Sequence, residues 1–305
     1  MKSKKIIVIG SINNDLVIEV EKAPVMGETV LGSGFIQVSG GKGANQAVAC
    51  ARLGVDVTFI GAVGSDSFGS LLINNLNKNN VYTGLMKTVP DRPTGTAMII
   101  VYGGDNYIAV DQGANLSVDN TQIDEAEQCI KDADMAILQL EIPFCTVRYA
   151  VKRCKSLGIP VLLNPAPAPA QPLESDMLAM VDLLTPNESE AFALTGIRPS
   201  SPEEAIMAAK RLSALGARKI VITLGGSGCV YGSGTEFKHI PAMPVDKAVD
   251  TTAAGDSFTA ALAVALTNGS TFEEAVFFAT KAGAITVTRK GAQPSLPYLT
   301  DVGGF

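Results

Sequence analysis

The sequence predicts an α/β protein with a mostly parallel sheet that is covered by helices on both faces. Three stretches carry the same unit: a helical pattern that ends at Leu-Gly, followed by a short apolar strand. Glycine is common at the end of a helix, and continuous apolar strands are typical of a parallel sheet that is buried on both faces. The three units lie at residues 47–60, 149–163 and 208–223.

Three further apolar runs and two C-terminal helical patterns complete this sheet and its cover. The runs lie at residues 6–9, 135–138 and 181–184, and the helical patterns lie at 256–267 and 272–285. In open α/β sheets, ligands bind at the carboxyl ends of the strands. We therefore expect the functional residues in the loops that follow strands.

Two segments depart from this alternation, because extended patterns follow one another without a helix between them. They lie at about 13–40 and 94–112, and the second contains a Gly-Gly-Asp turn. Such strands predict a small antiparallel β-sheet, inserted as a lid in a single α/β domain of residues 1–305. A lid excludes water from a phosphoryl group during its transfer. The alternative is a sheet that pairs two subunits, and one sheet can do both.

Composition narrows the classes of function. The 305-residue chain is 47% hydrophobic and 18% charged, which favours one large, well-filled interior. Its net charge is −6 and its basic runs do not exceed Lys4-Lys5, so we expect no nucleic-acid and no membrane partner. Five scattered cysteines without a CxxC pair suggest neither disulfides nor zinc, and the single histidine, His239, suits a strand. We expect a cytoplasmic protein.

The segment at residues 250–256, Asp-Thr-Thr-Ala-Ala-Gly-Asp, leads directly into an apolar helix. The backbone N–H groups from Ala253 to Asp256 are expected to be unpaired there, and with the helix dipole they form an anion site. Asp256 beside them could accept the proton of a hydroxyl during phosphoryl transfer. The helix N-terminus is expected to lower the pKa of Asp256. The alternative is an ordinary helix cap.

Other polar loops follow predicted strands. In the glycine-rich Ser-Gly-Gly-Lys-Gly-Ala-Asn-Gln at 39–46, Lys42 and Asn45 offer donors for sugar hydroxyls or phosphate. This loop has neither the Walker A pattern nor the dinucleotide fingerprint, which disfavours a nicotinamide-dependent dehydrogenase. Asn13 and Asp15 lie two residues apart after the first strand, so both can face vicinal hydroxyls. An Asx turn is the alternative for that pair.

Two further polar or glycine-rich loops follow predicted strands. Asn187 and Glu190 follow the strand at 181–184, where a capping box is the alternative to a binding role. The glycine-rich stretch at 223–228 could hold a nucleotide against the backbone, or it could be a hairpin turn.

Together these motifs resemble the ribokinase-like (PfkB) carbohydrate kinase family. Gly-Gly-Lys-Gly-Ala-Asn-Gln at 40–46 is similar to its first signature and the segment at 250–256 to its second, in the family's order and along essentially the whole chain. The resemblance implies ATP-dependent phosphorylation of the D-ribose 5-hydroxyl, with Mg²⁺ carried by ATP and K⁺ as a monovalent activator. Separately, the exposed edge of the predicted lid sheet suggests a homodimer formed through the lid.

The resemblance implies roles for individual residues. Asp256 would be the catalytic base, and the anion hole would consist of Ala253, Ala254 and Gly255. Ribose would be bound by Asn13, Asp15, Gly41, Lys42, Asn45, Glu141 and Asp256. The nucleotide would be bound by Asn187, Glu190, Thr223, Gly225, Gly228, Gly255 and Thr280. The monovalent cation would be held by Asp250, Thr252, Thr286, Arg289, Gly291 and Ser295.

Three positions depart from the family pattern. Asn14 stands where a small residue is common, which is expected to alter the pocket entrance; Ser257 replaces a commoner threonine; and Thr280 replaces a longer polar residue beside the adenine. Alternatives are a kinase of the same family for deoxyribose, another pentose or hexose, or adenosine, and a non-catalytic sugar sensor. The polar residues Asn13, Asp15 and Glu141 favour a pentose over a nucleoside.

Overall fold

The computed structural model describes residues 3–103 and 105–304, except for the side chain of Asp105. The strands in chain order are β1 (Lys5–Ile9), β2 (Asn13–Val20), β3 (Gly32–Gly40), β4 (Asp56–Ile60), β5 (Ala62–Gly64), β6 (Val81–Tyr82), β7 (Lys87–Val89), β8 (Thr96–Tyr102), β9 (Asp105–Asp111), β10 (Met135–Leu138), β11 (Val161–Leu163), β12 (Leu183–Leu184), β13 (Lys219–Thr223), β14 (Cys229–Ser233) and β15 (Glu236–Ile240). The α-helices are α1 (Lys42–Arg52), α2 (Ser67–Lys78), α3 (Asn120–Glu125), α4 (Glu127–Lys131), α5 (Phe144–Ser156), α6 (Ser175–Met180), α7 (Glu188–Thr195), α8 (Pro202–Ala214), α9 (Ala254–Thr267), α10 (Phe272–Val287), α11 (Ala292–Ser295) and α12 (Leu299–Val302).

The large sheet confirms the predicted fold class. Across the described residues its nine strands run in the order β15-β14-β13-β12-β11-β10-β1-β4-β6. The strands from β13 to β6 are parallel, whereas β14 and β15 add an antiparallel edge. The glycine-rich stretch after β13 is therefore the turn of a hairpin, with a short 3-10 helix at Gly225–Ser227.

Two apolar layers cover the two faces of this sheet. Ile6 and Val8 of β1 pack into the cluster that includes α1, α9 and α10, while Ile7 and Ile9 point to the opposite layer, with α5 and α8. All four side chains are at most 1% exposed. Burying each of them stabilises the fold by about 2 kcal/mol relative to leaving it in water. This double burial explains why the strands are apolar without alternation.

The small sheet forms in the predicted segments and has the order β3-β2-β8-β9. Its outer pairs, β2 with β3 and β8 with β9, are antiparallel, as predicted. Its central pair, β2 with β8, is parallel, because α1, β4 and α2 intervene in the chain and return it in the same direction. The predicted turn between β8 and β9 includes Gly104, which lies outside the described residues.

The histidine, the cysteines and the apolarity of the helices were also the subject of predictions from the sequence. His239 lies on β15, as predicted, with Nε2 2.7 Å from the carbonyl oxygen of Ser227. All five cysteines are free. Among the helices of the described residues, none combines the length and apolarity needed to cross a membrane.

Candidate active site

Polar residues from neighbouring strand ends meet in one cleft at the carboxyl edge of the large sheet. Asn164 follows β11, Thr185 follows β12, and Thr223 ends β13. The cleft has a volume of about 190 Å³. Its lining consists of Lys42, Asn164, Ala166, Thr185, Asn187, Glu190, Thr223, Thr251, Ala253, Gly255, Asp256 and Thr259.

The start of α9 borders this cleft and is not capped by a side chain from the described residues. Its N-cap residue, Ala253, has the left-handed conformation, with φ 60° and ψ 9°. The N–H group of Ala254 donates to the carbonyl oxygen of Thr251 at 3.2 Å, so the prediction that it is unpaired is wrong: the tight turn uses it. The N–H groups of Ala253, Gly255 and Asp256 have no acceptor in the described part of the chain. Three amides, not four, are free to meet an anion.

Asp256 is the third residue of α9 and is only 6% exposed. Its carboxylate is held by two side chains of α1 and caps no backbone N–H group of its own helix in the described part of the chain. Asn45 Nδ2 donates to Oδ2 and Gln46 Nε2 donates to Oδ1, both at 2.9 Å. Each carboxylate oxygen therefore has one fixed donor, and one lone pair on each remains for a substrate proton.

The predicted direction of the Asp256 pKa shift is wrong. Burial raises the pKa above its usual range, and this effect exceeds the lowering by the Lys42 ammonium and by the hydrogen bonds from Asn45 and Gln46. The helix dipole considered from the sequence contributes up to about 2 kcal/mol in the first turn, and burial of the whole carboxylate charge outweighs it. A higher pKa makes Asp256 a stronger base.

The glycines at the start of α1 allow it to press against the segment after β1. Gly41 has φ +87°, and a Cβ there would lie 2.7 Å from the backbone nitrogen of Asn13. A Cβ on Gly43 would lie 2.7 Å from the nitrogen of Ser11. This close approach places Lys42 in the cleft and lets its N–H group donate to Glu141 Oε2 at 3.1 Å.

Four predicted sugar residues form one charged cluster. Burial, Glu141 and Asp256 raise the pKa of Asp15 to about 7. Burial lowers the pKa of Lys42, but the charges of Asp256, Glu141 and Glu190 outweigh burial and raise it. Lys42 thus stays protonated among several carboxylates, a setting suited to a polyhydroxylated ligand and an anion together.

The proposed nucleotide residues divide into two groups. Asn187 and Glu190 form the capping box considered from the sequence, with Asn187 N–H donating to Glu190 Oε2 at 2.9 Å, and both also line the cleft. Burial raises the pKa of Glu190. Thr223 lines the same cleft.

The structure does not bring Gly225, Gly228 and Thr280 into the lining of that cleft. A Cβ on Gly228 would lie 2.1 Å from the carbonyl oxygen of Ile240, so packing against the end of β15 already requires glycine. The Thr280 hydroxyl donates to the carbonyl oxygen of Val276 at 2.9 Å, and the residue is 8% exposed.

Asp250 joins two loops of the predicted cation site. Its Oδ1 accepts from the Thr252 N–H and its Oδ2 from the Gly291 N–H, both at 2.9 Å. Burial acts to raise the pKa of Asp250, but these hydrogen bonds and Lys290 lower it overall. The three residues border a second cavity, of about 470 Å³, between these loops and the β2 face that carries Asp15.

The other three predicted cation residues have different partners for their side chains. The Arg289 guanidinium pairs with Asp301 at 3.1 Å. The hydroxyl of Thr286 donates to the carbonyl oxygen of Ala282, and that of Ser295 to the carbonyl oxygen of Ala292.

Sequence reasoning missed several polar residues behind the site. Asn115 Nδ2 donates to Asn13 Oδ1 at 2.7 Å, and Gln46, Gln139 and Asn164 form a buried chain of amides. Their one sequence signal is a polar residue directly after an apolar strand, as Gln139 follows β10 and Asn164 follows β11.

Asn14, which stands where the family pattern has a small residue, points away from the predicted sugar residues. It lies on the opposite face of β2 from Asn13 and Asp15, is fully buried, and accepts a hydrogen bond from Gln37 at 2.5 Å. Asn14 is not among the residues that line either cavity.

Comparison with known proteins supports one class of enzyme. The model of the pfkB family carbohydrate kinases matches residues 3–299. The chain is 44% identical over 299 residues to a ribokinase of Bacillus subtilis, covering 98% of both chains. It is 41% identical to a ribokinase of Schizosaccharomyces pombe, covering 98% of this chain and 96% of that one. The structure of Arabidopsis thaliana ribokinase complexed with ribose and ATP superposes with a TM-score of 0.90 at 32% identity, covering 99% of this chain and 98% of that one.

Proposed function

The chain belongs to the pfkB family of carbohydrate kinases, and we propose that it transfers the γ-phosphoryl group of ATP to the 5-hydroxyl of D-ribose. One observation carries the proposal: the Asp256 carboxylate, fixed by two amide donors, lies beside the free N–H groups at the start of α9. A base next to an anion hole is the arrangement that phosphoryl transfer to a hydroxyl requires.

In the proposed reaction, Asp256 accepts the proton of the sugar hydroxyl as that oxygen bonds to the γ-phosphorus. The bond from the γ-phosphorus to the bridging oxygen of ADP breaks, so the products are ribose 5-phosphate and ADP. The N–H groups of Gly255 and Asp256, together with the Lys42 ammonium, stabilise the charge on the transferred group. Asp15, Asn45 and Glu141 hold the other sugar hydroxyls.

The cleft suits a magnesium ion that arrives with ATP. Glu190 is a carboxylate 4% exposed, on the same cleft as Asp256 and Lys42, and its oxygens keep lone pairs beyond the two bonds from Asn187. Mg²⁺ usually keeps several waters and binds through one or two carboxylates and the phosphates. Glu190 would orient those waters, and the ion would neutralise charge on the β- and γ-phosphates.

The loops around Asp250 suit a monovalent cation such as K⁺. Hard oxygen donors are the ligands that such an ion prefers, and one carboxylate with backbone carbonyls gives a low site charge. Asp250 would contribute that carboxylate, and Thr252, Thr286, Arg289, Gly291 and Ser295 would contribute mainly backbone oxygens. Because Asp250 is only three residues from Ala253, a bound ion would order the anion hole.

We also propose that the lid forms a homodimer through the sheet face that points away from the cavity. Strand register places Leu16, Met98, Ile100 and Tyr107 on that face, and Met98 is 62% exposed. Exposed apolar sheet faces are typical of interfaces. Light scattering would report the mass of the assembly.

The requirement for ATP favours the cytoplasm as the place where the enzyme acts.

A coupled assay for ADP release tests the function across a sugar panel. The purified chain would be given D-ribose, 2-deoxyribose, fructose or adenosine with MgATP, with and without K⁺. We expect kcat/KM to be highest for D-ribose and K⁺ to raise it. Turnover of none of these acceptors would overturn the kinase proposal, and a clear preference for another sugar would overturn the assignment to ribose.

A further inference from the structure

Three buried amide side chains form a hydrogen-bonded chain beside the Asp256 carboxylate. Asn164 belongs to the lining of the cleft, whereas Gln46 and Gln139 do not. Gln46 and Gln139 are fully buried and Asn164 is 8% exposed. Gln46 Nε2 donates both to Asp256 Oδ1 at 2.9 Å and to Asn164 Oδ1 at 3.1 Å. Gln46 is thus the only one of these amides whose hydrogen bonds within the described residues reach the carboxylate directly.

Gln139 fixes which end of the Gln46 amide faces Asp256. Gln139 Nε2 donates to Gln46 Oε1 at 2.6 Å, so the Gln46 oxygen is held on the Gln139 side and its NH₂ group is held on the carboxylate side. Asn164 is oriented in the same way, because its Nδ2 donates to the carbonyl oxygen of Thr185 at 2.8 Å. The directions of all these bonds agree, and together they allow one orientation of the Gln46 amide.

The Gln139 side chain occupies its position at a cost in stability. A Cβ on Gly10 would lie 1.9 Å from Gln139 Oε1, so any larger residue there would displace the Gln139 amide from this position. Gln139 Oε1 itself is buried and has no hydrogen-bond partner among the described residues. A buried acceptor without a partner is unfavourable, and an apolar side chain would avoid that penalty. Packing therefore does not explain a glutamine here, whereas orientation of Gln46 does.

We infer that Gln46, oriented by Gln139, is a positioning residue that fixes the Asp256 carboxylate for proton transfer from the substrate hydroxyl. The inference rests on the proposed kinase function. Asn45 and Gln46 hold one carboxylate oxygen each, but Asn45 lies on the substrate side by family resemblance, whereas Gln46 is sealed from the cleft. Loss of Gln46 would free the carboxylate to rotate without removing a contact to the sugar.

The consequence would be confined to the chemical step. A carboxylate out of place by about 1 Å can lower the rate about 100-fold, while sugar binding depends on other residues. The hydrogen bond from Gln46 also lowers the pKa of Asp256, so its removal would move the acidic limb of the kcat–pH profile to higher pH. Lys42, Glu141, Asp15 and Glu190 also act on Asp256, and all are retained in the variants below.

The test compares Gln46→Met, Gln139→Met and the double variant in the intact enzyme with D-ribose and MgATP. Gln122→Met is the matched control, because Gln122 is also a buried glutamine, 6% exposed, but its Nε2 donates to the carbonyl oxygens of Gly61 and Leu85 away from the cleft. Steady-state kcat, ribose KM, kcat–pH profiles and melting temperatures would be measured for each.

We expect Gln46→Met to lower kcat about 100-fold and Gln139→Met about tenfold, each with ribose KM changed less than about threefold. The double variant is expected to match Gln46→Met, because Gln139 acts through Gln46. The acidic limb is expected to move to higher pH in all three, while Gln122→Met changes only the melting temperature. If Gln46→Met does not fold, the kcat of Gln139→Met and the acidic limb of its kcat–pH profile test the positioning role instead.

A kcat within threefold of wild type for Gln46→Met, an unmoved acidic limb, or effects that multiply in the double variant would overturn the positioning role. Absence of ribose phosphorylation by the wild-type chain would instead overturn the proposed function, so the two failures are distinguishable.

Discussion

Helices α7 and α9 begin at the same edge of the large sheet, but their first turns are built in opposite ways. At α7, the Asn187 side chain accepts from the Glu190 N–H at 2.9 Å and the Glu190 carboxylate accepts from the Asn187 N–H in return. At α9, no side chain from the described residues caps the helix, and Ala253 adopts a left-handed conformation. The first turn of α7 is satisfied internally, and that of α9 is left open to the cleft.

The first turn of α7 stabilises the fold, whereas the first turn of α9 is built for binding an anion at a cost in stability. A capping box stabilises a helix by about 1 kcal/mol, whereas a non-glycine residue held at positive φ costs about 1–3 kcal/mol. The chain therefore bears a stability cost at a helix start where free N–H groups adjoin a buried carboxylate. Such local violations of otherwise consistent sequence rules are typical of functional sites.

Substituting Gly255 by alanine tests the open helix start most strongly. A Cβ there meets no atom within 4 Å, so the fold can accept it, and alanine favours a helix more than glycine does. The methyl group would project into the space of the transferred phosphate, at a cost of about 2 kcal/mol. We expect kcat/KM for ATP to fall about 30-fold while the melting temperature does not fall. Full activity in Gly255→Ala would show that no phosphate approaches this turn.

The pH dependence of ribose binding tests the charged cluster beside that helix start. The pKa of Asp15 is raised to about 7, and its ionised form is the better acceptor for sugar hydroxyls. Ribose KM is therefore expected to fall about tenfold as the pH rises from about 6 to 8, and Asp15→Asn should remove this dependence. A ribose KM that is flat across this range in the wild-type enzyme would contradict the role of Asp15.

The same raised pKa has a consequence for stability with the opposite sign. Because the folded pKa of Asp15 lies above its unfolded value of 3.8, the unfolded state loses its proton first as pH rises. The contribution of Asp15 to stability is therefore most favourable below about pH 4 and declines up to about pH 7. Asp15→Asn should raise the melting temperature at pH 8, as measured by calorimetry, although it weakens the site.

Asn187→Ala tests the capped helix start and is expected to have the smallest effect on catalysis. Loss of the capping box should lower stability by about 1 kcal/mol and the melting temperature by about 2 °C. We expect kcat/KM for ATP to fall less than in Gly255→Ala, because the α7 amides are satisfied within the capping box. A larger loss of kcat/KM for ATP than in Gly255→Ala would remove the distinction between the two helix starts.

Local patterns predicted much of this architecture. The Leu-Gly stops and apolar runs identified the parallel sheet, and strands without intervening helices identified the small second sheet. The parallel pairing of β2 with β8 was not predictable from either segment alone, because it depends on how α1, β4 and α2 return the chain. Gly228 illustrates the same limit, because its packing against Ile240 at the end of β15 requires glycine there.

The site was predictable where its residues lie within one turn and less so where elements meet. Asp256 was identified from its own segment, but its pKa shift had the wrong predicted direction, since the extent of burial depends on α1 packing over it. Gln46 was visible in the glycine-rich loop, yet its partner Gln139 lies directly after β10, which is distant in sequence. No pattern within either segment links the two.

The account depends most directly on Asp256 as the base, and single-turnover kinetics of Asp256→Asn test it. We expect kcat to fall about 10³-fold or more, ribose affinity by calorimetry to stay within about threefold, and the fold to remain intact. The melting temperature should not fall, because burial already disfavours the Asp256 charge. Asp119→Asn, which removes a carboxylate that caps α3 outside the cleft, is the control and should retain near-wild-type kcat. A kcat within tenfold of wild type for Asp256→Asn would contradict the account.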